Sequence, residues 1–263
     1  MRFLVALICI SNFAFAQNKI VKNGQLYFSW GYNKEWYTPS TINIKQPELG
    51  NDYAFVKVSA HDKIGWDKLF SLPLTVPQYN YRLGYFFNEK QDLAFELNFD
   101  HTKFIVTNGQ NVRIKGTLNN RQIDSTFVND ESSLRYFLNN GANFFLFNIV
   151  KKINIYETKN KNFEVATLLK AGVGPVVPHV ENTVFGNPNT PHFQIGGWNT
   201  GVEGTIRFLF FKYAYLEYCV KGDYAHYFGL RIYKGKASQT FGTFEMIGNL
   251  GVNIPLGKRD KKE

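Results

Sequence analysis

Strict alternation of apolar and polar residues is the feature of this sequence that most limits its fold. In the segment 92–103, DLAFELNFDHTK, every second residue from Leu93 to Phe99 is apolar, and polar or acidic residues stand between them. Such a strand has one apolar and one polar face. It fits either a soluble sheet with its acids in water or the wall of a transmembrane barrel, with lipid outside and a polar interior.

Eight segments with this alternation predict strands at 24–34, 77–88, 92–106, 140–151, 162–176, 193–211, 213–227 and 240–256. Their connections alternate in length. The short ones read NEKQ, INIYETKNK and FFKY, and the long ones are 35–76, 107–139, 177–192 and 228–239. Short turns on one side and long loops on the other, with both termini on the short side, are typical of outer-membrane barrels.

We therefore predict an all-β protein, an eight-stranded antiparallel up-and-down transmembrane β-barrel with short periplasmic turns and long extracellular loops. Segment 52–60 is expected to extend strands beyond the bilayer. Only the segment 131–140, ESSLRYFLNN, favours a helical turn or two. A soluble barrel of lipocalin type is the alternative fold, and it would require the apolar face to point inward.

The composition agrees with alternating membrane strands. Charged residues make up 19% of the chain and aromatic residues 17%, while the mean hydropathy is only −0.26. Few charges, many aromatics and modest hydropathy arise together when only half of each strand meets lipid. No segment after the N-terminus reaches 18 consecutive apolar residues, which excludes a helical membrane protein.

The first 16 residues have the organisation of a secretory signal peptide. Arg2 precedes an apolar stretch, and Ala14-Phe15-Ala16 fits the small-x-small cleavage rule. A membrane-anchor helix is the alternative, but the apolar run is too short to span. We predict a signal peptide (1–16) and an outer-membrane barrel domain (17–263) with a basic periplasmic tail (257–263), located in the bacterial outer membrane. Cys219 is then the one cysteine left, so no intrachain disulfide is expected.

The inward positions of the predicted strands carry many charges. An eight-stranded barrel has an interior about as wide as its own side chains, and buried charges need partners. We therefore predict an interior charge network that plugs the barrel, formed by Arg82, Glu96, Lys170, Glu203, Arg207, Glu217, Lys221 and Glu245. With Asp100, Glu164 and Asp223 also inward, seven acids face four bases, so some acids are protonated, hydrated or functional.

The mature chain resembles the small outer-membrane β-barrel superfamily of Gram-negative bacteria, of the OmpA-transmembrane-like type, through its strand pattern and loop layout. This resemblance implies a monomer in contact with outer-membrane lipid and lipopolysaccharide, inserted by the outer-membrane assembly machinery. A structural or surface-binding role is the function that the resemblance implies. The sequence leaves the cofactor unknown.

A local resemblance, over residues 171–225, is to barrels related to lipid A-modifying enzymes. It is carried by GVGPVVPHVEN, GGWNTGVEGTIRF and YAYLEYCVKGDYA, and it implies a substrate in the outer leaflet. All five histidines (His61, His101, His179, His192 and His226) fall on the predicted extracellular side. Histidine beside carboxylate can act as a general base. The catalytic candidates of this alternative function are His179, Glu181, Asp100 and Asp223, and ordinary loop polarity is the competing interpretation.

The spacing of these residues contains no established metal motif, so no metal site is predicted.

The mature chain keeps a formal charge of about +8 after loss of Arg2. In the last outer loop, Arg231, Lys234 and Lys236 stand without an acid, and such cations attract lipopolysaccharide phosphates. A solvated loop is the other interpretation of these three residues. Nucleic-acid binding is disfavoured, because the compartment is wrong and the basic residues do not cluster on one element.

Overall fold

The computed structural model describes residues 24–65, 78–88, 90–138 and 141–256. The predicted signal peptide (1–16) and basic tail (257–263) lie outside the described residues. Within the described residues, a 3₁₀ turn at Pro47–Leu49 is the one helical element. None of the described helical structure is long and apolar enough to cross a membrane.

The described residues form strands that extend well beyond the eight predicted ones. In chain order, they are β1 (Gln25–Tyr37), β2 (Ser40–Gln46), β3 (Asn51–Val58), β4 (Ala60–His61), β5 (Tyr79–Phe86), β6 (Leu93–Asp100), β7 (Phe104–Val106), β8 (Asn111–Leu118), β9 (Arg121–Val128), β10 (Leu134–Leu138), β11 (Phe144–Glu157), β12 (Phe163–Val176), β13 (His179–Val184), β14 (Asn187–Pro188), β15 (His192–Phe193), β16 (Gly197–Phe210), β17 (Ala214–Ile232) and β18 (Gly235–Pro255).

Eight of these strands close into a ring in chain order: β1, β5, β6, β11, β12, β16, β17 and β18. Every neighbouring pair is antiparallel, and β18 pairs back with β1 from Gln25 opposite Pro255 to Tyr37 opposite Thr243. Closure satisfies the backbone groups that an open edge would leave in lipid. The predicted eight-stranded up-and-down barrel is confirmed.

The outer face of the ring is apolar and exposed, whereas its inner face is polar and buried. On β12, β16 and β18, Leu169, Val202 and Leu250 are 51%, 65% and 58% exposed. The alternate positions, such as Lys170 and Glu203, point inward and are buried. A soluble protein has the reverse arrangement. The lipocalin-like alternative is therefore wrong, because its apolar face would line the interior.

Exposed aromatic side chains form a belt at each end of this apolar wall. Trp36, Trp198 and Tyr224 lie toward the end with the long connections, and Phe211 and Tyr213 lie at the turn between β16 and β17. Rings of this kind mark the two membrane–water interfaces of outer-membrane barrels. The strands between the belts are therefore the membrane-spanning segments.

The long connections fold into an ordered unit above the barrel, which we call the extracellular cap. One of its sheets continues from β18 through β2, β3 and β8 to β9, and the other has the order β14, β13, β10, β7, β4, with β15 on β13. Apolar side chains from both sheets and from the tops of β17 and β18 share one core, which includes Phe55, Val112, Tyr136, Val180 and Leu230. The cap therefore has a hydrophobic core of its own.

Two expectations for the outer segments are wrong. Residues 134–138 form β10 instead of a helical turn, because Leu134, Tyr136 and Leu138 alternate into the cap core. The turn before β10 is held by Asp130, and hydrogen bonds from Ser133 and Ser132 lower the pKa of its carboxyl to about 2. The predicted loop 228–239 is mostly strand, because β17 and β18 continue upward to a turn at residues 233 and 234.

Candidate functional site

The middle of the barrel interior holds a cluster of ion pairs. The Lys170 ammonium lies 2.9 Å from both Glu96 Oε2 and Glu203 Oε1. The Arg82 guanidinium lies 3.3 Å from Glu203 Oε2 and 2.7 Å from Asp100 Oδ1, and its Nε is 4.0 Å from Glu96 Oε1. These residues come from β5, β6, β12 and β16, so the pairs join strands on different sides of the ring.

Nearer the periplasmic turns, Arg207 and Glu217 form a second group. Arg207 Nε donates to Glu217 Oε1 at 2.7 Å, and the guanidinium lies 4.0 Å and 4.6 Å from the ring centroids of Tyr215 and Tyr27. Tyr27 in turn donates to Glu96 Oε2 at 2.9 Å. Below them the interior is filled by apolar side chains: Phe86, Ala94, Val150, Ala166, Leu168 and Leu209.

Above the middle cluster, Lys221 stands among three carboxylates. Its ammonium lies 2.6 Å from Asp223 Oδ2 and 3.5 Å from Glu245 Oε1, and it also pairs with Asp100. The backbone of Gly201 makes room for this group, because a Cβ there would lie 1.8 Å from Asp223 Oδ1. The structure thus brings the predicted interior residues together, with Asp100 and Asp223 among them.

Glu35 is a buried member of the interior that the sequence analysis missed. It lies directly opposite Glu245 in the β1–β18 register, and its carboxylate accepts hydrogen bonds from Asn33 and Tyr37. The signal was present, because Glu35 continues the inward series of Asn33, but the predicted strand ended one residue too early. Glu164, by contrast, pairs with Lys152 at 2.9 Å, away from the central cluster.

A layer of aromatic rings forms the barrel-side edge of the cap core, next to the charged interior. Phe241 is its centre, with ring centroids of Phe104, Tyr227, Tyr37 and Phe144 at 4.6, 5.4, 5.5 and 6.4 Å. Tyr227 is fixed by a hydrogen bond to the carbonyl of Ala142 at 3.0 Å. We call these five rings the aromatic layer. Burial in the cap just above it raises the pKa of Tyr136.

The four catalytic candidates do not form one site. Asp100 and Asp223 lie in the barrel interior, whereas His179 and Glu181 lie on β13 in the second cap sheet. Glu181 pairs with Arg135 at 2.8 Å, and the His179 ring packs on Phe193 at 4.7 Å. The two pairs are thus in different sheets and engage different partners.

The other histidines are also dispersed over the extracellular half. His101 contacts Asn143, His226 contacts Thr240, and each faces outward, where His101 stacks on Tyr79 and His226 packs on Trp198. His61 and His192 lie in the cap on β4 and β15, respectively. No group of histidines within ligand distance of one another occurs among the described residues.

The three predicted phosphate-binding cations lie around the tip of the β17–β18 hairpin. Arg231 is directly opposite Lys236, and Lys236 is directly opposite Lys45 on β2. Residues directly opposite share one face of a sheet. Arg231, Lys236 and Lys45 therefore form a row across the sheet. Arg231 and Lys234 also line a surface groove with His192 and Tyr233.

A closed ring of eight antiparallel strands, apolar toward the outside and charged toward the inside, with aromatic belts at both ends, defines an outer-membrane β-barrel. The protein is therefore an integral outer-membrane β-barrel protein with eight membrane-spanning strands. Its location is the bacterial outer membrane.

No protein-family model matches the chain, and no curated protein matches it. Three solved outer-membrane structures align over most of it. Ail of Yersinia pestis in complex with the heparin analogue sucrose octasulfate has a TM-score of 0.33 at 12% identity, over 88% of this chain and 99% of Ail. OprG of Pseudomonas aeruginosa has a TM-score of 0.36 at 9% identity, over 88% of this chain and 96% of OprG. The outer membrane protease OmpT of Escherichia coli has a TM-score of 0.39 at 10% identity, over 89% of this chain and 97% of OmpT. At these scores nothing about function transfers to this chain.

Proposed function

We propose that the protein is a non-conducting outer-membrane barrel with a structural role, and that its extracellular cap binds cell-surface lipopolysaccharide. The observation that carries the first part is the closed interior. The Arg82 and Lys170 ion pairs cross the ring, an apolar group fills it below, and the aromatic layer covers it above. A water-filled channel has no room in an interior blocked at three levels.

Energetics also favour a permanent plug. Removing one partner from a buried, hydrogen-bonded ion pair costs about 3–5 kcal/mol, because it leaves an uncompensated charge. Lys170 and Arg82 each contact two or more carboxylates. Opening a path between them would break several pairs at once, so the network acts as a structural cross-link.

The surface-binding part rests on the row formed by Arg231, Lys236 and Lys45. Like charges directly opposite each other destabilise a sheet. Among the described residues, the one acid that pairs with this row is Asp52, 3.7 Å from Lys45. Arg231 follows Tyr224 of the aromatic belt by seven residues of β17, which at about 3.3 Å per residue is roughly 23 Å along the strand. The row thus reaches the saccharide and phosphate region of lipopolysaccharide, above its acyl chains.

A conductance measurement tests the closed interior. Wild-type protein in planar bilayers should show no current steps above the lipid baseline. Lys170→Glu should admit a cation leak, because it replaces two ion pairs by like-charge contacts. The matched control is Lys151→Glu, which changes the same charge at a partly exposed periplasmic pair with Asp92. Stable steps from wild-type protein would refute the plug.

A binding measurement tests the surface role. The triple variant Arg231→Ser/Lys234→Ser/Lys236→Ser should bind lipopolysaccharide micelles at least tenfold more weakly than wild type, with a smaller salt dependence. A control variant that removes three exposed cations elsewhere, Lys63, Lys115 and Arg121, should bind like wild type. Equal losses in both variants would show that only net charge matters.

The closed ring also supports a monomer, because no strand of the ring leaves an edge for a second copy to complete. Insertion by the outer-membrane assembly machinery belongs to the same proposal.

The lipid A-modifying alternative stays a prediction. No contact between His179 or Glu181 in the cap and Asp100 or Asp223 in the barrel interior favours it. Its test is the lipid A mass spectrum of cells with wild type, His179→Ala or Glu181→Ala.

A further inference from the structure

The upper part of the barrel interior carries a large excess of negative charge. We define the upper acid layer as Glu35, Asp100, Asp223 and Glu245, all of which are buried. The whole interior holds these four acids and Glu96, Glu203 and Glu217, so seven buried acids face the four buried bases Arg82, Lys170, Arg207 and Lys221. Lys221 contacts Asp100, Asp223 and Glu245, and Arg82 pairs with Asp100 at 2.7 Å while it also contacts Glu203 and Glu96. Among the described residues no further Lys or Arg pairs with the upper acid layer, so the interior keeps an excess of three negative charges.

Buried anions without counter-charges are costly, so the excess must be neutralised by protons or by a cation. The aromatic layer above and the ion-paired cluster below keep bulk water away from these acids. The strand register adds to this electrostatic cost, because Glu35 and Glu245 lie directly opposite each other. Like charges at such positions destabilise the strand pair.

Several oxygens in and beside this layer accept no hydrogen bond from the described residues. After Lys221 has made its pairs, Glu245 Oε2 and Asp223 Oδ1 have no hydrogen-bond donor, and the hydroxyl of Thr243, which lies directly opposite Asp223, has no partner. Carboxylate oxygens of Asp100, Asp223 and Glu245 lie within 4.8 Å of one another, and Lys221 contacts all three carboxylates.

A second, separate observation is the side chain of Asn80. It is fully buried, it lies directly opposite Asp100 in the β5–β6 register, and both its oxygen and its nitrogen are without a partner among the described residues. A buried amide is normally hydrogen-bonded. Its oxygen is therefore available as a neutral ligand beside Asp100.

We propose that the upper acid layer binds one hard divalent cation, Ca²⁺ or Mg²⁺. Oxygen-only donor sets with several carboxylates suit these ions, whereas thiolate or imidazole donors would indicate transition metals. The ion lies on the side of Glu245 Oε2 and Asp223 Oδ1. Lys221 keeps its contacts with Asp100 and with Asp223 Oδ2. The two positive charges on the ion reduce the interior's excess of three negative charges to one.

The position of the layer predicts slow exchange. The aromatic layer closes the route from outside, and the Lys170 and Arg82 pairs close the route from the periplasm. The ion is therefore bound during folding and is retained afterwards. An ion held at the junction of β1, β17 and β18 would fasten the seam where the first and last strands of the barrel meet.

The test measures the metal content of refolded protein. Wild-type protein is refolded in detergent with CaCl₂, passed through a desalting column with EDTA, and analysed by plasma mass spectrometry. We expect about one Ca²⁺ per chain in wild type and less than a tenth of that in Glu245→Gln. The control Glu164→Gln removes a carboxylate that is already paired with Lys152, and it should retain the ion.

Folding of each variant is checked by heat-modifiable migration on a gel. If Glu245→Gln does not fold, Thr243→Val removes one neutral oxygen ligand and should lower the Ca²⁺ content without changing the charge. Wild-type protein without bound Ca²⁺, or with as much Ca²⁺ in Glu245→Gln as in Glu164→Gln, would overturn the proposal. A carboxylic acid band in the infrared spectrum that Ca²⁺ leaves unchanged would likewise overturn it, in favour of protons.

Discussion

Glu35 and Glu245 lie directly opposite each other on the first and last strands of the barrel, and both are buried in its interior. Neither forms a close pair with a base of its own, since Lys221 is 3.5 Å from Glu245 and is shared with two other acids. The seam that closes the barrel therefore contains a like-charge contact.

This contact predicts that Glu35→Gln stabilises the protein when divalent ions are absent. The amide oxygen still accepts from Asn33, and the amide NH₂ donates to the oxygen of Tyr37, whose hydroxyl keeps the Lys103 carbonyl as an acceptor at 3.1 Å. One of two opposed charges is lost. In EDTA, the free energy of unfolding by urea in detergent should rise by about 1 kcal/mol. Glu164→Gln should give no gain. Destabilisation by Glu35→Gln would mean that its charge compensates a cation.

Arg82→Ala should be among the most damaging substitutions in the barrel. Its guanidinium serves Asp100, Glu203 and Glu96, and its loss leaves buried carboxylates without that partner. We expect a loss of about 3–5 kcal/mol in urea unfolding. The control is Arg113→Ala, whose pair with Asp124 is exposed and should contribute no more than about 1 kcal/mol. Similar effects of the two substitutions would contradict an enclosed network.

Val202→Arg tests the membrane-facing wall. Val202 is 65% exposed in the middle of β16, so its side chain meets lipid. An arginine at the bilayer midplane costs about 2–4 kcal/mol, measured as unfolding from lipid vesicles. Thr126→Arg, on the exposed cap strand β9, should change stability by less than about 0.5 kcal/mol. A tolerated Val202→Arg would place this face in water.

Phe55→Ala should loosen the cap without unfolding the barrel. Phe55 is fully buried in the cap core, where its ring meets Tyr53 and Phe185. Truncation of such a ring lowers the free energy of unfolding by about 3–5 kcal/mol. This loss should fall on the cap, since Phe55 packs in the cap core. Limited proteolysis should then cleave within residues 40–60 or 104–138, while heat-modifiable migration is kept. Phe147→Ala, on the lipid-facing wall, should leave the cleavage pattern unchanged.

The barrel could be predicted from sequence because the outward side chains of its membrane strands are mostly apolar and recur at every second position. β11, whose orientation the sequence leaves open, also has Phe147 and Ile149 outward, while its inward side chains Leu146 and Asn148 are of mixed polarity. The ring strands pair in chain order, and the last strand pairs with the first, so the pattern within each strand is enough to predict the barrel. The interior residues are then every second residue of each strand.

The cap could not be predicted in the same way. Its strands pair across long stretches of chain, as β10 does with β13 and β4 does with β7. Its apolar residues face a core instead of lipid, so period-two alternation appears only in short pieces. The row of Lys45, Lys236 and Arg231 depends on that pairing, because Lys45 comes from a distant segment. Glu35 was missed for a simpler reason, a strand end placed at residue 34.

Hydrogen–deuterium exchange in lipid nanodiscs tests most directly the central claim, that a sealed barrel carries a folded cap. Peptides covering β8 (Asn111–Leu118) and β10 (Leu134–Leu138) should exchange slowly, like the barrel strands, because their amides are paired around a buried core. The turn between β11 and β12 should exchange within seconds. Equally fast exchange of β8 and β10 would contradict the account, since the cap would then be a set of open loops.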